Sequence, residues 1–245
     1  MDVYVRFAHE MNGSWYAWGE QPAEYVRAFR VVADAVHQRA PRSQMVWAPS
    51  YAGGYPFAGG KYEAHPGTID FAALDTDHDG KLTMRDDPYA PYYPGDAYVD
   101  WVGLTDYFWG NTWPWGQNQL PPPGKFVAQL TGKDKGPNGD EDTLPDFYAT
   151  YAEGHNKPFV LAETAALYNP TRSDGASSQD IKLAWANQVF AGVAEHFPKT
   201  KMVLWFEYNK HESDTGTPID WQATDDPAVL DGFRKLLPPW LVFAP

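Results

Sequence analysis

Short apolar runs recur along the chain, with segments of helical periodicity or long loops between them. The first covers 3–7: Val3, Val5 and Phe7 share one face of a strand, and Tyr4 and Arg6 take the other. Further strands are predicted over 45–50, 98–108, 158–164 and 201–209. Helical spacing over 24–40 is closed by Pro41, and further helices are predicted over 144–155, 178–197 and 227–237, with a turn of helix over 70–74. Strands that alternate with helices or long connections predict a parallel α/β sheet. Glycine fingerprints for dinucleotides or a P-loop are missing, as is the Gly-x-Ser-x-Gly elbow of serine hydrolases. In a β/α barrel, chemistry gathers where strands end. Glu10, Ser50, Tyr107, Glu163 and Glu207 all stand at such ends.

The first strand runs directly into His9-Glu10-Met-Asn12-Gly13-Ser-Trp15-Tyr-Ala-Trp18. Asn12-Gly13 is a turn signal. Aliphatic residues give way to indoles beside a carboxylate, which suits a sugar: pyranose faces pack on indoles, and the hydroxyls suit His, Asn and Glu. A core strand ending in a Trp-rich turn would carry the same residues. The chain holds 11 Trp and 15 Tyr, more than a core alone requires. Trp15, Trp18, Trp109, Trp113 and Trp115 fall in rim segments, and Trp18 and Trp109 are the expected platforms; Trp47, Trp101 and Trp185 fit packing.

The formal net charge of −13 opposes binding to nucleic acid or to anionic membranes. With no cysteine, thiolate catalysis, disulfides and Cys-ligated zinc are excluded. The opening residues do not form a signal peptide. The segment 110–142 is rich in Gly and Pro and is expected to be a functional surface loop.

Glycoside hydrolysis with retention uses two carboxyls roughly 5–5.5 Å apart, one as acid/base and one as nucleophile. Glu10 and Glu163 are the best candidates, and Glu207 competes with them. Glu163 could instead cap a loop or helix start. The stretch Arg6-Phe-Ala-His-Glu-Met-Asn-Gly-x-Trp-Tyr-x-Trp18 resembles the acid/base motif of glycoside hydrolase family 26, mostly endo-β-1,4-mannanases with some β-glucanases and xylanases. The resemblance implies a (β/α)8 TIM barrel with Glu10 as acid/base after the fourth strand and Glu163 as nucleophile after the seventh. It implies that His9 precedes the acid, that Tyr107 hydrogen-bonds the nucleophile and that Trp205 lies under the sugar. Arg6, Asn12, Trp15, Trp18 and Trp109 are expected to contact the acid or the substrate. Thr105 stands where family mannanases often have Asp, a departure that weakens mannan as substrate.

The chain is thus expected to be a partial barrel covering strands 4 to 8, a single catalytic-type domain over 1–245. The expected function is retaining endo-β-glycanase action on β-1,4-linked polysaccharide, with β-mannan first and mixed-linkage β-glucan or xylan as alternatives. An inactive partial barrel that only binds carbohydrate is the competing reading. An extracellular protein is expected, with a signal peptide upstream, and a monomer if the full barrel is present.

A separate motif spans 75–86. Asp75, Asp77, Asp79, Gly80, Lys81, Thr83 and Asp86 match positions 1, 3, 5, 6, 7, 9 and 12 of an EF-hand loop. Lys81 would bind through its backbone carbonyl, and Asp86 replaces the usual Glu. Structural Ca2+ is expected there, with no cofactor for catalysis; an acidic, Asx-rich turn is the alternative.

Overall fold

The computed structural model describes residues 3–242. Five strands form one sheet in chain order: β1 (Tyr4–Arg6), β2 (Gln44–Trp47), β3 (Trp101–Thr105), β4 (Phe159–Thr164) and β5 (Thr200–Trp205). β1 and β2 pair in parallel with Val5 opposite Met45, and β2 and β3 with Val46 opposite Trp101. Val102 N–H reaches Pro158 O at 3.0 Å, and Phe159 N–H reaches Lys199 O at 2.8 Å, continuing the sheet to β4 and β5. Sequential parallel strands with intervening helices are consecutive β/α units, the expected partial TIM barrel.

α1 (Pro22–Arg39) starts two residues earlier than the periodicity shows, because a proline suits the first helical turn. α2 (Ile69–Leu74) is capped by Thr68, whose hydroxyl accepts from Phe71 N–H. A short α3 (Lys125–Leu130) interrupts the expected long loop. The helix expected over 144–155 is instead a π-helical turn, Tyr148–Glu153. α4 (Ser178–His196) and α5 (Pro227–Leu236) are capped by Ser177 and Asp226. An antiparallel hairpin, β6 (Asn209–Glu212) and β7 (Thr217–Asp220), follows β5 where the sequence suggested only a longer strand.

The described residues fall into two compact units. The first comprises 1–105, 130–162 and 199–202, of which 3 onward is described. Its small core residues Val46, Ala48, Val160 and Ala162 pack with Trp101 and Met202. On α1, Tyr25, Phe29 and Ala33 are buried, and Phe7 rests on Tyr25 and Phe29 with centroids 6.4 and 6.3 Å away. Trp47 is fully buried among Tyr93, Phe147 and Tyr151.

The second unit comprises 106–129, 163–198 and 203–245, described to 242. Trp185 of α4 packs on Phe108 and Phe126 and donates its Nε1–H to Thr164 Oγ1 at 2.9 Å. α4 meets α5 through Phe190 and Phe233, centroids 5.7 Å apart. A second cluster, Ala165, Leu167, Ile219 and Trp221, packs beneath the aromatic residues that follow β3 and β5.

Gly103 lies where β3 is squeezed between β2 and β4. A Cβ there would come within 2.9 Å of Val160 Cγ1 and 3.1 Å of Ala48 Cβ. Gly103→Ala should therefore destabilise the chain by about 1–3 kcal/mol through overpacking. Urea unfolding measures it; an unchanged midpoint would show that the strands can part at no cost.

Candidate active site

In the first unit, the chain leaves β1 through a strained backbone. Ala8 (φ 44) and Glu10 (φ 55) both adopt left-handed conformations although neither is glycine. Glu10 N–H is fastened to Ala48 O at 3.0 Å, and Glu10 O accepts from Gly13 N–H. The Glu10 side chain is 9% exposed, and its Oε2 accepts the Trp15 Nε1–H at 3.0 Å. Gly13 permits this: a Cβ there would lie 2.2 Å from the Trp15 ring. Trp15 also stands edge-on to Phe57 at 5.0 Å.

His9 lies edge-on to Tyr16 at 5.0 Å, and its carbonyl accepts the Trp18 indole N–H at 2.9 Å. Tyr16 and Trp18 stack at 4.6 Å. Trp15 and Trp18 both remain exposed, at 40% and 37%. Asn12 has a different role. It is completely buried, its amide clamping Ser50 in both directions: Nδ2–H to Ser50 O at 2.8 Å, and Ser50 N–H to Oδ1 at 2.9 Å. Arg6 donates to Thr105 Oγ1 at 2.6 Å. Asn12 thus ties the turn after β1 to the segment after β2, and Arg6 ties β1 to the end of β3.

In the second unit, Glu163 sits near the end of β4. Tyr107 O–H donates to its Oε2 at 2.5 Å, as expected of these two residues. Asp106 N–H bonds Glu163 O at 2.9 Å and keeps the segment after β3 in register with β4. The Tyr107 ring meets Phe206 at 5.6 Å and Trp221 at 5.1 Å, and Trp221 meets Trp109 at 4.9 Å.

Trp205 packs against Ala165, Leu167, Ile219 and Trp221, the cluster that Tyr107, Trp109 and Phe206 also meet. Its ring stands 4.8 Å from Phe233 and lines an apolar cavity with Phe190, Val203, Leu237 and Leu241, on the α4 and α5 side of β5. Strand alternation turns the next residue, Phe206, toward Tyr107 instead. Glu207 is a latch: Oε1 accepts from Ala223 N–H at 2.9 Å, and Oε2 from Thr224 Oγ1 at 2.9 Å. Trp221, unplaced by its sequence, is 1% exposed and fixed by its Nε1–H to Glu212 Oε1 at 2.8 Å. The polar hairpin β6–β7 supplies that anchor. Its residues lack an apolar alternation, so no strand is predicted beyond 209.

In the acidic loop, carboxylate oxygens of Asp75, Asp77 and Asp86 lie within 4.8 Å of one another. Asp79 is outside this group; its Oδ1 accepts from Lys81 N–H at 2.8 Å. Asp75 accepts from the amides of Asp79 and Gly80, each at 3.0 Å. Asp86 is 2% exposed and accepts from Thr76 N–H at 2.7 Å and Thr83 N–H at 2.8 Å. Gly80 (φ 83) makes the sharp turn required at the sixth position. The donor set is all oxygen, which suits a hard cation such as calcium.

No protein-family model matches the chain. It is 22% identical over 243 residues to "Endoglucanase H" of Acetivibrio thermocellus, covering 96% of this chain and 20% of that protein. Among solved structures it is similar to a Cellulomonas fimi endo-β-1,4-mannanase double mutant, at TM-score 0.55 and 20% identity over 99% of this chain and 42% of that one. A family 26 endo-β-1,4-mannanase catalytic domain from a Bacillus species gives TM-score 0.51 and 18% identity, over 96% and 49%. The chain therefore spans less than half of the solved chains it matches and a fifth of the curated relative. These likenesses establish the fold as a portion of the barrel found in those mannanases.

Glu20 closes the segment that carries Glu10. It is 1% exposed, and its Oε2 accepts from Ala64 N–H at 2.6 Å, binding the loop of 51–66 to the rim. Burial pushes its carboxyl from an ordinary 4.5 up to about 7, against the lowering effect of the Ala64 amide and with a small addition from Glu63. Because the folded value is raised, the unfolded chain ionises first as pH rises. The contribution of this group to stability is greatest below about 4.5, falls between about 4.5 and 7, and levels off above. At about 1.4 kcal/mol per unit, the loss from this group approaches ~3 kcal/mol. Glu20→Gln should keep the Ala64 bond and remove this slope. Parallel wild-type and variant denaturation from pH 4 to pH 8 measures the difference; parallel curves would show Glu20 ionised at no cost.

Proposed function

We propose that the chain carries the catalytic residues of a retaining endo-β-glycanase acting on β-1,4-linked polysaccharide, with β-mannan the first substrate to test. The observation that carries the proposal is the 2.5 Å hydrogen bond from Tyr107 to Glu163, which fixes a strand-end carboxylate among aromatic rings. Glu163 attacks the anomeric carbon through its carboxylate. Glu10, in its acid form, gives its proton to the glycosidic oxygen as the bond to the leaving sugar breaks. Glu10 then takes a proton from water, which attacks the glycosyl-enzyme and releases product with retained configuration. Trp15 holds the Glu10 carboxyl from one side while leaving a ring face open. The mannanase and endoglucanase names of similar proteins support a β-glycanase and leave mixed-linkage glucan and xylan as the substrates to compare. Polymeric substrate implies an extracellular workplace. Among the described residues, no helix is long and apolar enough to cross a membrane.

Hydrolysis is tested by reducing-end release from mannan, mixed-linkage glucan and xylan in parallel. Glu163→Ala should lose at least about 10⁴-fold in turnover on every substrate, as removal of a nucleophile does. Glu10→Ala should lose comparably on polysaccharide but keep cleaving aryl glycosides whose leaving group needs no proton. Azide should restore the Glu163 variant with inverted product. Equal losses on activated substrates and no azide rescue would overturn both assignments. Polysaccharide binding without reducing-end release would favour a carbohydrate-binding protein.

The same reading gives the acidic loop a structural Ca2+, held by Asp75, Asp77, Asp79, Thr83, Asp86 and the Lys81 carbonyl. The clustered carboxylates fit a hard divalent cation, and its charge would offset their repulsion. Neither proposed catalytic glutamate belongs to this loop. Chelation should therefore lower the melting temperature and spare low-temperature turnover, with about 2.7 kcal/mol at stake when calcium is 100-fold above Kd. Asp75→Ala should copy the chelator. Calorimetry that shows no binding heat and identical melting curves would leave only an acidic turn.

A further inference from the structure

An aromatic row leaves Glu163 and reaches the surface of the second unit. It starts at Tyr107, whose hydroxyl holds Glu163, and passes through Trp221 to Trp109. Gly110 follows with φ 125, and Trp115 Cε3 lies 3.8 Å from the position a Cβ would take there. The Trp115 ring thus folds back beside the end of that row. Trp113 completes it, edge-to-face with Trp115 at 5.7 Å and 63% exposed.

The turn that displays Trp113 is held on both sides by amide side chains. Gln119 Oε1 accepts from Asn111 N–H at 2.7 Å, and its Nε2–H reaches Thr112 Oγ1 at 3.0 Å. The Asn118 amide clamps the Asn169 backbone in both directions, Nδ2–H to Asn169 O and Asn169 N–H to Oδ1, and Asn169 Nδ2–H reaches Gly116 O at 3.0 Å. A large exposed indole on a clamped turn loses little entropy when it binds. Thr112 and Gln117, both bonded to Gln119, supply polar groups beside it, and Leu120 is the other large exposed apolar residue of this loop.

We propose that Trp113, backed by Trp115, is a further sugar-stacking platform for a pyranose of the β-linked glycan, distal to Glu163. A pyranose presents C–H groups on its face to the electron-rich indole, while its rim hydroxyls remain in water. Trp113 and Trp115 stand in the loop that follows Tyr107, the residue that holds Glu163, so the ligand proposed is a glycan chain extending from that carboxylate. The proposal rests on the glycanase reading and extends it to chain-length preference.

The test uses the full chain with Trp113→Ala and Trp113→Phe, in affinity gels containing soluble galactomannan or mixed-linkage β-glucan and in kinetics on the same polymers. Trp113→Ala should weaken binding and raise KM on polymer about tenfold, the scale of one lost aromatic contact. Trp113→Phe should retain part of the binding. Turnover of a short aryl glycoside and the melting temperature should not change. Hydrolysis with unchanged polymer KM in Trp113→Ala would overturn the platform and leave the glycanase reading intact. Wild-type retardation that Trp113→Ala abolishes, without any hydrolysis, would uphold the platform and overturn the glycanase reading. No retardation of the wild-type chain by either polymer would overturn the platform.

Discussion

A polar group removed from water at a strand end must find a partner, because leaving it unpaired costs about 1–3 kcal/mol. That requirement organises both units. Asn12 is completely buried and is satisfied by the backbone of Ser50; Arg6 meets Thr105. Tyr107 bonds Glu163, and Trp185 bonds Thr164. Trp221 is satisfied by Glu212, whereas Glu20 has only its Oε2 satisfied, by Ala64, and its buried Oε1 has no partner, in keeping with its raised pKa. Most of these bonds join segments far apart in sequence, so Glu163 and the turn that carries Glu10 are fixed by partners from other strands. The candidate catalytic residues are held by the same kind of bond that holds the fold.

The backbone at Glu10 shows what this pairing must offset. Left-handed conformations at Ala8 and Glu10 cost on the order of 1–3 kcal/mol each. They persist because the surroundings overdetermine them: Glu10 N–H is bound to Ala48 O, and the Asn12–Ser50 clamp closes two residues later. Strain held this way turns the Glu10 carboxyl toward the Trp15 indole. A relaxed extended backbone would send residues alternately to opposite faces, with no turn to bring Trp15 back.

The sheet was legible in the sequence because parallel strands buried on both faces leave apolar runs, and helices that cover them leave a 3.6-residue period. Glu10, Glu163 and Tyr107 were legible because their charge or hydroxyl ends such a run. The neighbours of Trp205 were not legible because two aromatics adjoin at the end of β5; Trp205 meets Phe233 and Phe206 meets Tyr107, and only the register decides which. Asn12 misled because a buried structural amide and a sugar-binding amide have the same residue type. The hairpin β6–β7 gave no pattern, since its stability comes from pairing and from Glu212 and Ile219 beneath it, not from alternating β-branched residues.

The acidic loop combines local and global electrostatics. Its sequence shows the spacing of carboxylates, and its structure shows backbone amides turned toward Asp75 and Asp86. Those amides fix the carboxylates in place and cancel part of their charge. They also hold Asp75, Asp77 and Asp86 close together, which repulsion in a chain of net charge −13 would otherwise oppose. An Asx-rich turn can satisfy its amides with two carboxylates and leave the others in water. Here Asp86, the most deeply buried of them, accepts from both the start and the end of the loop, so the loop closes on a negative charge. A closure of that kind is stable without an ion only to the extent that its amides suffice, and the proposed calcium would supply the remaining positive charge.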